Sequence, residues 1–392
     1  MNAKSHFYIE AFKTIQLSAY RFGQSPYAHH YTTDSTIHGM YCERFYPLKV
    51  DDSEDPIPQY WKLRKEALLY DVPEKPLEIS GPDAAKLLEK VLICRAETLK
   101  IGRARYGIAC REDGTVLMDG VFMRLAEDRF WYVKANGEFM TWLQAHAIGM
   151  DVTVRDPNSR VIQIQGPNSL KILDAAMDGE LSADFGYFHS GMFSIGGQEL
   201  LVSRTGWTGE MGIEIYSNSG PRPTDHDALW HHLMAAGEPF GMGFSSASSM
   251  GIRRVEAGIL DNGSDIEPDL TQFGAGLGKF INFKKGDFIG RSALESADQT
   301  QLLFGLTCAG ATPATFMQVF IGGMAVGHIT IGTWSPTLET GIGYVRFFEP
   351  TAEGESWLGQ TVMLQDETGE MHACEVVDLP FFDAEKKIPR GK

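Results

Sequence analysis

Positive charge and cysteine are both scarce in this chain of 392 residues, where 35 Lys and Arg stand against 51 Asp and Glu and only five cysteines occur. A net charge of −16 argues against a surface that would release counterions from a nucleic acid or adhere to an anionic membrane, so neither is expected as a partner. Cys42, Cys94, Cys110, Cys308 and Cys374 show no CxxC spacing, which points to reduced, mostly buried thiols and away from a disulfide frame or a zinc site. No apolar run approaches about 18 residues, and the start, MNAKSHFYIEAFKTIQ, has no signal-peptide pattern. The expectation is a cytoplasmic protein. Nucleotide signatures are missing too. Residues 274–278 (GAGLG) lack GxGxxG spacing, and residues 286–290 (GDFIG) lack the Walker Lys-Ser/Thr. With no G-x-S-x-G elbow, H-E-x-x-H or Cys–His signature, serine-hydrolase and zinc-hydrolase readings have no support. The one basic stretch, Lys386, Lys387, Arg390 and Lys392, reads as a solvated terminus.

What is present is a large core and an internal repeat. Hydrophobic residues make up 43% and aromatics 11%, and the length exceeds a single core, so two or three domains are expected. Residues 79–89 (ISGPDAAKLLE) are mirrored by residues 164–174 (IQGPNSLKILD). Each copy reads as a strand ending at Gly, then a helix with Pro in its first turn and a short polar residue near its positive end. An antiparallel meander follows each copy, over residues 106–110, 116–125 and 130–135 and again over 191–195, 199–203 and 211–216. The implied organisation is two duplicated α+β halves, about residues 49–150 and 151–295, followed by a strand-rich region over residues 296–392 that reads as a small β-barrel or sandwich. Residues 227–236 read as an amphipathic helix on which His231 and His232 face different ways, a poor joint metal site. Another helix is expected over 250–258. Residues 1–48 collect Tyr20, Phe22, Tyr27, His29, His30, Tyr31, His38, Tyr41, Phe45 and Tyr46 and read as a folded-over arm.

Two acids stand where strands disfavour them. Asp119 lies in the middle of residues 114–123 (GTVLMDGVFM), and Glu214 lies between Ile213 and Ile215 in residues 203–216 (SRTGWTGEMGIEIY). Each either alternates out to water or is buried and needs a partner. A buried Asp119 beside a reacting centre could orient a proton or stabilise developing positive charge. If the halves are related, the two acids meet in one site.

Eight segments in order then resemble the glycine-cleavage T-protein (aminomethyltransferase) family, from about residue 60 onward. They are residues 77–84 (LEISGPDA), 102–106 (GRARY), 113–120 (DGTVLMDG), 203–216, 254–258 (RVEAG), 275–278 (AGLG), 285–291 (KGDFIGR) and 332–338 (GTWSPTL). The resemblance implies an α+β, three-domain arrangement: two duplicated halves around a central folate channel, with a C-terminal β-barrel. It implies tetrahydrofolate as cofactor, Asp119 as the catalytic carboxylate and Glu214 as the acid that takes the paired N–H donors of the pterin. Tyr106, Val121 and, with a one-residue gap, Asn136 match folate-lining positions. Trp207 stands in the pterin turn where the family has Tyr. Met250 occupies the position of a folate-contacting Arg, Gly274 that of a Glu, and Lys279 one where Trp often follows. The arm has no counterpart. Lys285-Gly286-Asp287 lacks the Cys of folate-binding iron–sulfur assembly relatives, and the flavin fingerprint of sarcosine and dimethylglycine oxidases is absent. These departures favour a tetrahydrofolate-dependent demethylase that moves a methyl group from a small O-, S- or N-methyl donor to N5. His29, His30, His38 or an arm Tyr would protonate an aryl leaving group. The alternative is an aminomethyltransferase served by a lipoyl carrier protein, and a second is a non-catalytic folate-binding regulator.

Overall fold

The protein is represented by a computed structural model whose described residues are 22–51, 53–352 and 354–392; Tyr20 of the arm lies outside them. A hairpin of β1 (Ile37–Tyr41) and β2 (Arg44–Lys49) comes first. Its turn residues, Cys42 and Glu43, both have positive φ (51° and 57°), the primed geometry that matches the twist of paired strands.

The repeat is a true structural duplication with an exchange of strands. In the first half β3 (Leu68–Val72) precedes β4 (Lys75–Ser80), and the meander is β5 (Arg103–Cys110), β6 (Val116–Ala126) and β7 (Arg129–Lys134). In the second, β8 (Thr153–Arg155) precedes β9 (Val161–Gln165), and the meander is β10 (Ser190–Ile195), β11 (Gln198–Ser203) and β12 (Gly212–Tyr216). With the short β13 (Gly243–Phe244), the sheet orders are β5-β6-β7-β4-β8 and β10-β11-β12-β9-β3-β13. The strand before each copy thus crosses to the other copy's sheet: β3 pairs with β9, and β8 with β4. The halves interlock.

The two strand–helix joints are alike in detail. Gly81 and Gly166 have φ of 127° and 124°, and a Cβ at either would come within 2.6 Å of a backbone oxygen, Asp151 O or Glu66 O. Only glycine fits. The prolines expected inside the first helical turn sit just ahead of it, since the helices run Ala84–Val91 and Ser169–Ala176. These helices bury Leu87, Leu88 and Val91 in one half and Ile172, Leu173 and Ala176 in the other, each beneath its own sheet. A third cluster, with Tyr70, Met123, Val133, Leu201, Tyr216 and Met250, forms where the other faces of the two sheets meet.

The expected helices are found as His226–Gly237, capped by Asp225 on Ala228 N–H, and Ala247–Glu256, capped by Ser246. The C-terminal strands β14 (Leu303–Cys308), β15 (Gln318–Ile321), β16 (Met324–Ser335), β17 (Thr340–Phe347), β18 (Thr361–Gln365) and β19 (Met371–Val377) close into a barrel. Helix Ala247–Glu256 joins it to the halves through buried, paired charge. Glu256 accepts from Ser335 Oγ (2.5 Å) and Tyr60 OH (2.9 Å), and Arg254 meets Asp265 at 2.6 Å, which is how buried ions are tolerated. All five cysteines are free and buried. Among the described residues no helix is long and apolar enough to cross a membrane.

Candidate active site

A cavity of about 530 Å³ opens where the inner faces of the two sheets, the start of helix Ala247–Glu256 and the segment around Pro380 converge. Strand alternation explains what it receives. On β6, Met118 and Phe122 point to the helix-covered core, so Asp119, Val121 and Met123 take the opposite face. On β12, Ile213 and Ile215 point to the second helix-covered core, which turns Glu214 inward. In an isolated sheet these faces would meet water. Here each is covered by the other half, so Asp119 and Glu214 are both only 7% exposed.

The two acids are held differently. Asp119 Oδ2 accepts from Tyr106 OH at 2.7 Å, while Oδ1 is buried with no hydrogen-bond partner among the described residues. Burial pushes its carboxyl up to about 6, with the charge of Asp261 adding and the Tyr106 bond opposing. Glu214 has both oxygens engaged: Gln163 Nε2 donates to Oε1 (2.9 Å), and Thr205 Oγ1 (2.5 Å) and Tyr216 OH (2.7 Å) donate to Oε2. Burial raises its pKa, and the Thr205 and Tyr216 bonds work against that. A carboxylate offers about four acceptor positions, so a two-pronged N–H donor needs one of these three partners to turn away.

Tyr106, Val121 and Trp207 also line the cavity. The guanidinium carbon of Arg254 sits 4.8 Å from the Trp207 ring centre, holding the indole by cation–π contact. Met250, 3% exposed, brings an apolar side chain to the wall where the resemblance calls for a cation. Asn136 is not brought in. It is exposed, and its Oδ1 accepts from Cys42 N–H at 3.3 Å, while Lys134 and Ala135 take the lining positions on that strand end. Of the arm's candidate proton donors, His29 and His30 lie elsewhere, both placing Nε2 on Asp227 Oδ1 (2.8 and 3.1 Å). His38 is half-buried and outside the lining residues. Tyr41 and Tyr46 do reach the cavity, and Tyr41 OH donates to Asp261 Oδ1 at 2.9 Å.

Sequence reasoning missed five further acids that line the cavity, Asp71, Glu74, Glu210, Asp261 and Asp378, and of these Glu74 and Asp261 feel the charges of Glu214 and Asp119. Glu74 Oε2 is buried without a hydrogen-bond partner among the described residues, and burial, reinforced by the negative Glu214, lifts its carboxyl to about 8. At neutral pH it is an O–H donor. Asp261 is raised by burial and opposed by Arg254. Neither sits in a strand that would have flagged it; loops deliver both.

With this geometry in view, similarity to known proteins is informative. The family model described as GCVT N-terminal domain matches residues 35–285, and that described as Glycine cleavage T-protein C-terminal barrel domain matches residues 302–383. The chain belongs to the glycine-cleavage T-protein family. It is 33% identical over 356 residues to an aminomethyltransferase of Streptomyces avermitilis, covering 87% of this chain and 92% of that one. It is 31% identical over 341 residues to an aminomethyltransferase of Moorella thermoacetica, covering 84% and 90%. The crystal structure of glycine cleavage system aminomethyltransferase T from Bartonella henselae superposes with a TM-score of 0.80 at 25% identity, over 92% of this chain and 98% of that one. Measured against the T-protein family, the match begins just before the β1–β2 hairpin, so Tyr31, whose OH donates to Asp71 at 2.8 Å, tethers a segment that precedes it.

Proposed function

We propose that this chain transfers a one-carbon unit to tetrahydrofolate bound in the central cavity, and that the unit is an aminomethyl group carried on a lipoyl carrier protein. The relatives named aminomethyltransferase, matched over nine-tenths of their length, support this over the demethylation expected from the sequence. The observation that carries the reading is the Asp119 carboxyl, buried, hydrogen-bonded on one oxygen and unpartnered on the other, on the wall of a cavity sized for a folate ring system. The orphaned Oδ1 needs a donor or a cation, and a folate N5 that gains a bond supplies positive charge.

In this reading N5 and N10 take the methylene, ammonia leaves, and the carrier sulfur departs as a thiol. With its pKa near 6, Asp119 is mostly ionised at pH 7. Its task is to orient the folate and stabilise charge on N5 in a site shielded from water. Tyr106 fixes the carboxylate and offers a flat face to the ring. Glu74, neutral at pH 7, and Glu214 supply a donor and an acceptor to the polar edge of the ligand.

A second reading, the demethylase, rests on the donor side of the cavity, where Met250 removes a cation and Tyr41 and Tyr46 of the hairpin narrow the space. One experiment separates the two. Purified protein is incubated with tetrahydrofolate and either an aminomethylated lipoyl carrier or a panel of sulfonium, aryl methyl ether and methylamine compounds, and the folate product is weighed. Formation of 5,10-methylene-tetrahydrofolate with the carrier alone is the expected result. Formation of 5-methyl-tetrahydrofolate from a small donor overturns it in favour of demethylation.

A further inference from the structure

Arg and Lys gather in a groove of about 1050 Å³, lined by eight of them, Arg95 and Lys392 included, and by no Asp or Glu. That groove shares Tyr106 and Phe280 with the central cavity and belongs to the same site. Histidines gather elsewhere. Of the eleven in the chain, His29, His30 and His231 meet around Asp227 at the start of helix His226–Gly237, and none of these four residues lines the cavity.

Two segments 197 residues apart build the cluster. The first is the single helical turn Ala28–His30, which sets two histidine rings side by side with 4.0 Å between their centres. The second is helix His226–Gly237, on which Asp227 and His231 stand four residues apart and so share a face. His29 Nε2 (2.8 Å) and His30 Nε2 (3.1 Å) converge on one oxygen, Asp227 Oδ1, and the ring centre of His231 lies 5.1 Å from that of His30. The helix dipole accounts for an acid in the first turn. It does not account for two imidazoles aimed at the same oxygen of that acid, when the side chains of His29 and Asp227 are 59% and 62% exposed and would keep their freedom in water.

Packing behind the cluster holds its ligand atoms in place. His30 stacks on Trp230 at 4.8 Å with 4° between the planes, and Tyr31, next in the chain, stacks on Phe244 at 4.7 Å. Asp225, the helix cap, is fixed through its backbone by Gln198, which accepts from Asp225 N–H (2.8 Å) and donates to Asp225 O (3.2 Å). A second His and carboxylate cluster among the described residues, Asp366, Glu370 and His372, is unlike it. That cluster has a single imidazole, and its Asp366 Oδ1 already accepts from the N–H groups of Thr368 and Glu370 at 2.9 Å each.

We propose that His29, His30 and Asp227 bind a zinc ion, with water or His231 in the fourth position, and that the ion clamps the segment ahead of the β1–β2 hairpin onto the helix of the second half. Two imidazoles and a carboxylate suit zinc, whereas magnesium and calcium call for oxygen ligands. The three ligand atoms lie within 4.8 Å of one another, and a tetrahedral ion with bonds of about 2.0–2.2 Å spaces its ligands roughly 3.3–3.6 Å apart. Small side-chain rotations make that room. The net charge of −16 draws cations toward the surface, and the clamp is independent of what the central cavity binds.

Titration of the untagged, metal-free full chain with zinc chloride, followed by calorimetry and by thermal melting, tests it. One zinc ion per chain is expected to bind with a Kd of about 10 μM or below, raising Tm at saturation, and excess magnesium should change neither result. His29→Ala and Asp227→Asn should each weaken zinc binding by about tenfold or more. Both replace well-exposed side chains, so the fold is kept, which far-ultraviolet circular dichroism checks. X-ray absorption at the zinc edge should show two imidazole ligands, and His372→Ala should leave the Kd unchanged. Zinc that binds only above about 1 mM, or with the same Kd to the parent and to both variants, overturns the clamp. Binding lost in His372→Ala would move the site to the barrel and overturn it as well.

Discussion

The two halves follow one plan, a strand, a helix and a three-strand meander, yet they present their acids in opposite ways. Asp119 comes from the middle strand of the first meander and keeps one oxygen without a partner, whereas Glu214 comes from the last strand of the second and has both oxygens engaged by three donors. The duplication thus supplies two inward-facing sheet surfaces without making the acids equivalents. A buried carboxylate with a free oxygen can take a donor that arrives; one already engaged by three donors takes a two-pronged donor only by releasing one of them.

Substitutions can break this contrast. Asp119→Asn should lower kcat/KM by about 10²–10³-fold while leaving urea stability at pH 7 unchanged or higher, because it removes an incompletely paired buried charge. Loss of stability with activity intact would reverse the assignment. Glu214→Leu should instead cost about 2–4 kcal/mol in urea unfolding, since Gln163, Thr205 and Tyr216 then lose the acceptor they share. A large loss of kcat without loss of stability would give Glu214 the role assigned to Asp119.

Glu74 sharpens the comparison through pH. Its folded pKa, about 8, lies above its ordinary value of 4.5, so the folded state favours the neutral acid. Its burden on stability is absent below about pH 4.5 and grows as pH rises toward 8. Glu74→Gln should therefore be indistinguishable from the parent near pH 4 and about 1–3 kcal/mol more stable near pH 8. A constant difference at both pH values would rule out titration of Glu74 as the cause.

The smallest effect concerns Tyr106. The acid limb of kcat against pH should lie near 6, where Asp119 protonates. Because the Tyr106 hydroxyl opposes that raised pKa, Tyr106→Phe should move the limb upward by less than about one unit. A limb that stays in place would mean another group governs it.

Much of the architecture was legible because it is local. The echo of residues 79–89 in 164–174 locates both strand–helix joints, down to the two glycines whose positive φ no other residue would adopt without strain. The meanders and the strand-rich C-terminal region follow from alternation and turn residues, while closure into a barrel is seen only in the strand pairing. The strand exchange was not legible, since β3 and β8 carry no mark of which sheet they join. Asp119 and Glu214 stood out because a carboxylate in an apolar strand breaks the pattern. Glu74 and Asp261 lie in connections, where an acid is unremarked, and Asn136 was placed by a gap that the fold spends on Lys134 and Ala135 instead.

By itself the sequence determined the elements, the duplication, the family motifs and the placing of two acids in apolar strands, because these depend on backbone propensity and on side-chain period. Only the tertiary structure decided that both acids face inward, which keeps an unpartnered oxygen, which is held by three donors, and where the scarce positive charge gathers. Hydrogen-bond partners and charge clusters are set by residues far apart in the chain: Gln163 with Glu214, Arg95 with Lys392. A net charge of −16 is a sum over the whole chain, and a sum cannot reveal a groove in which eight cations meet no acid.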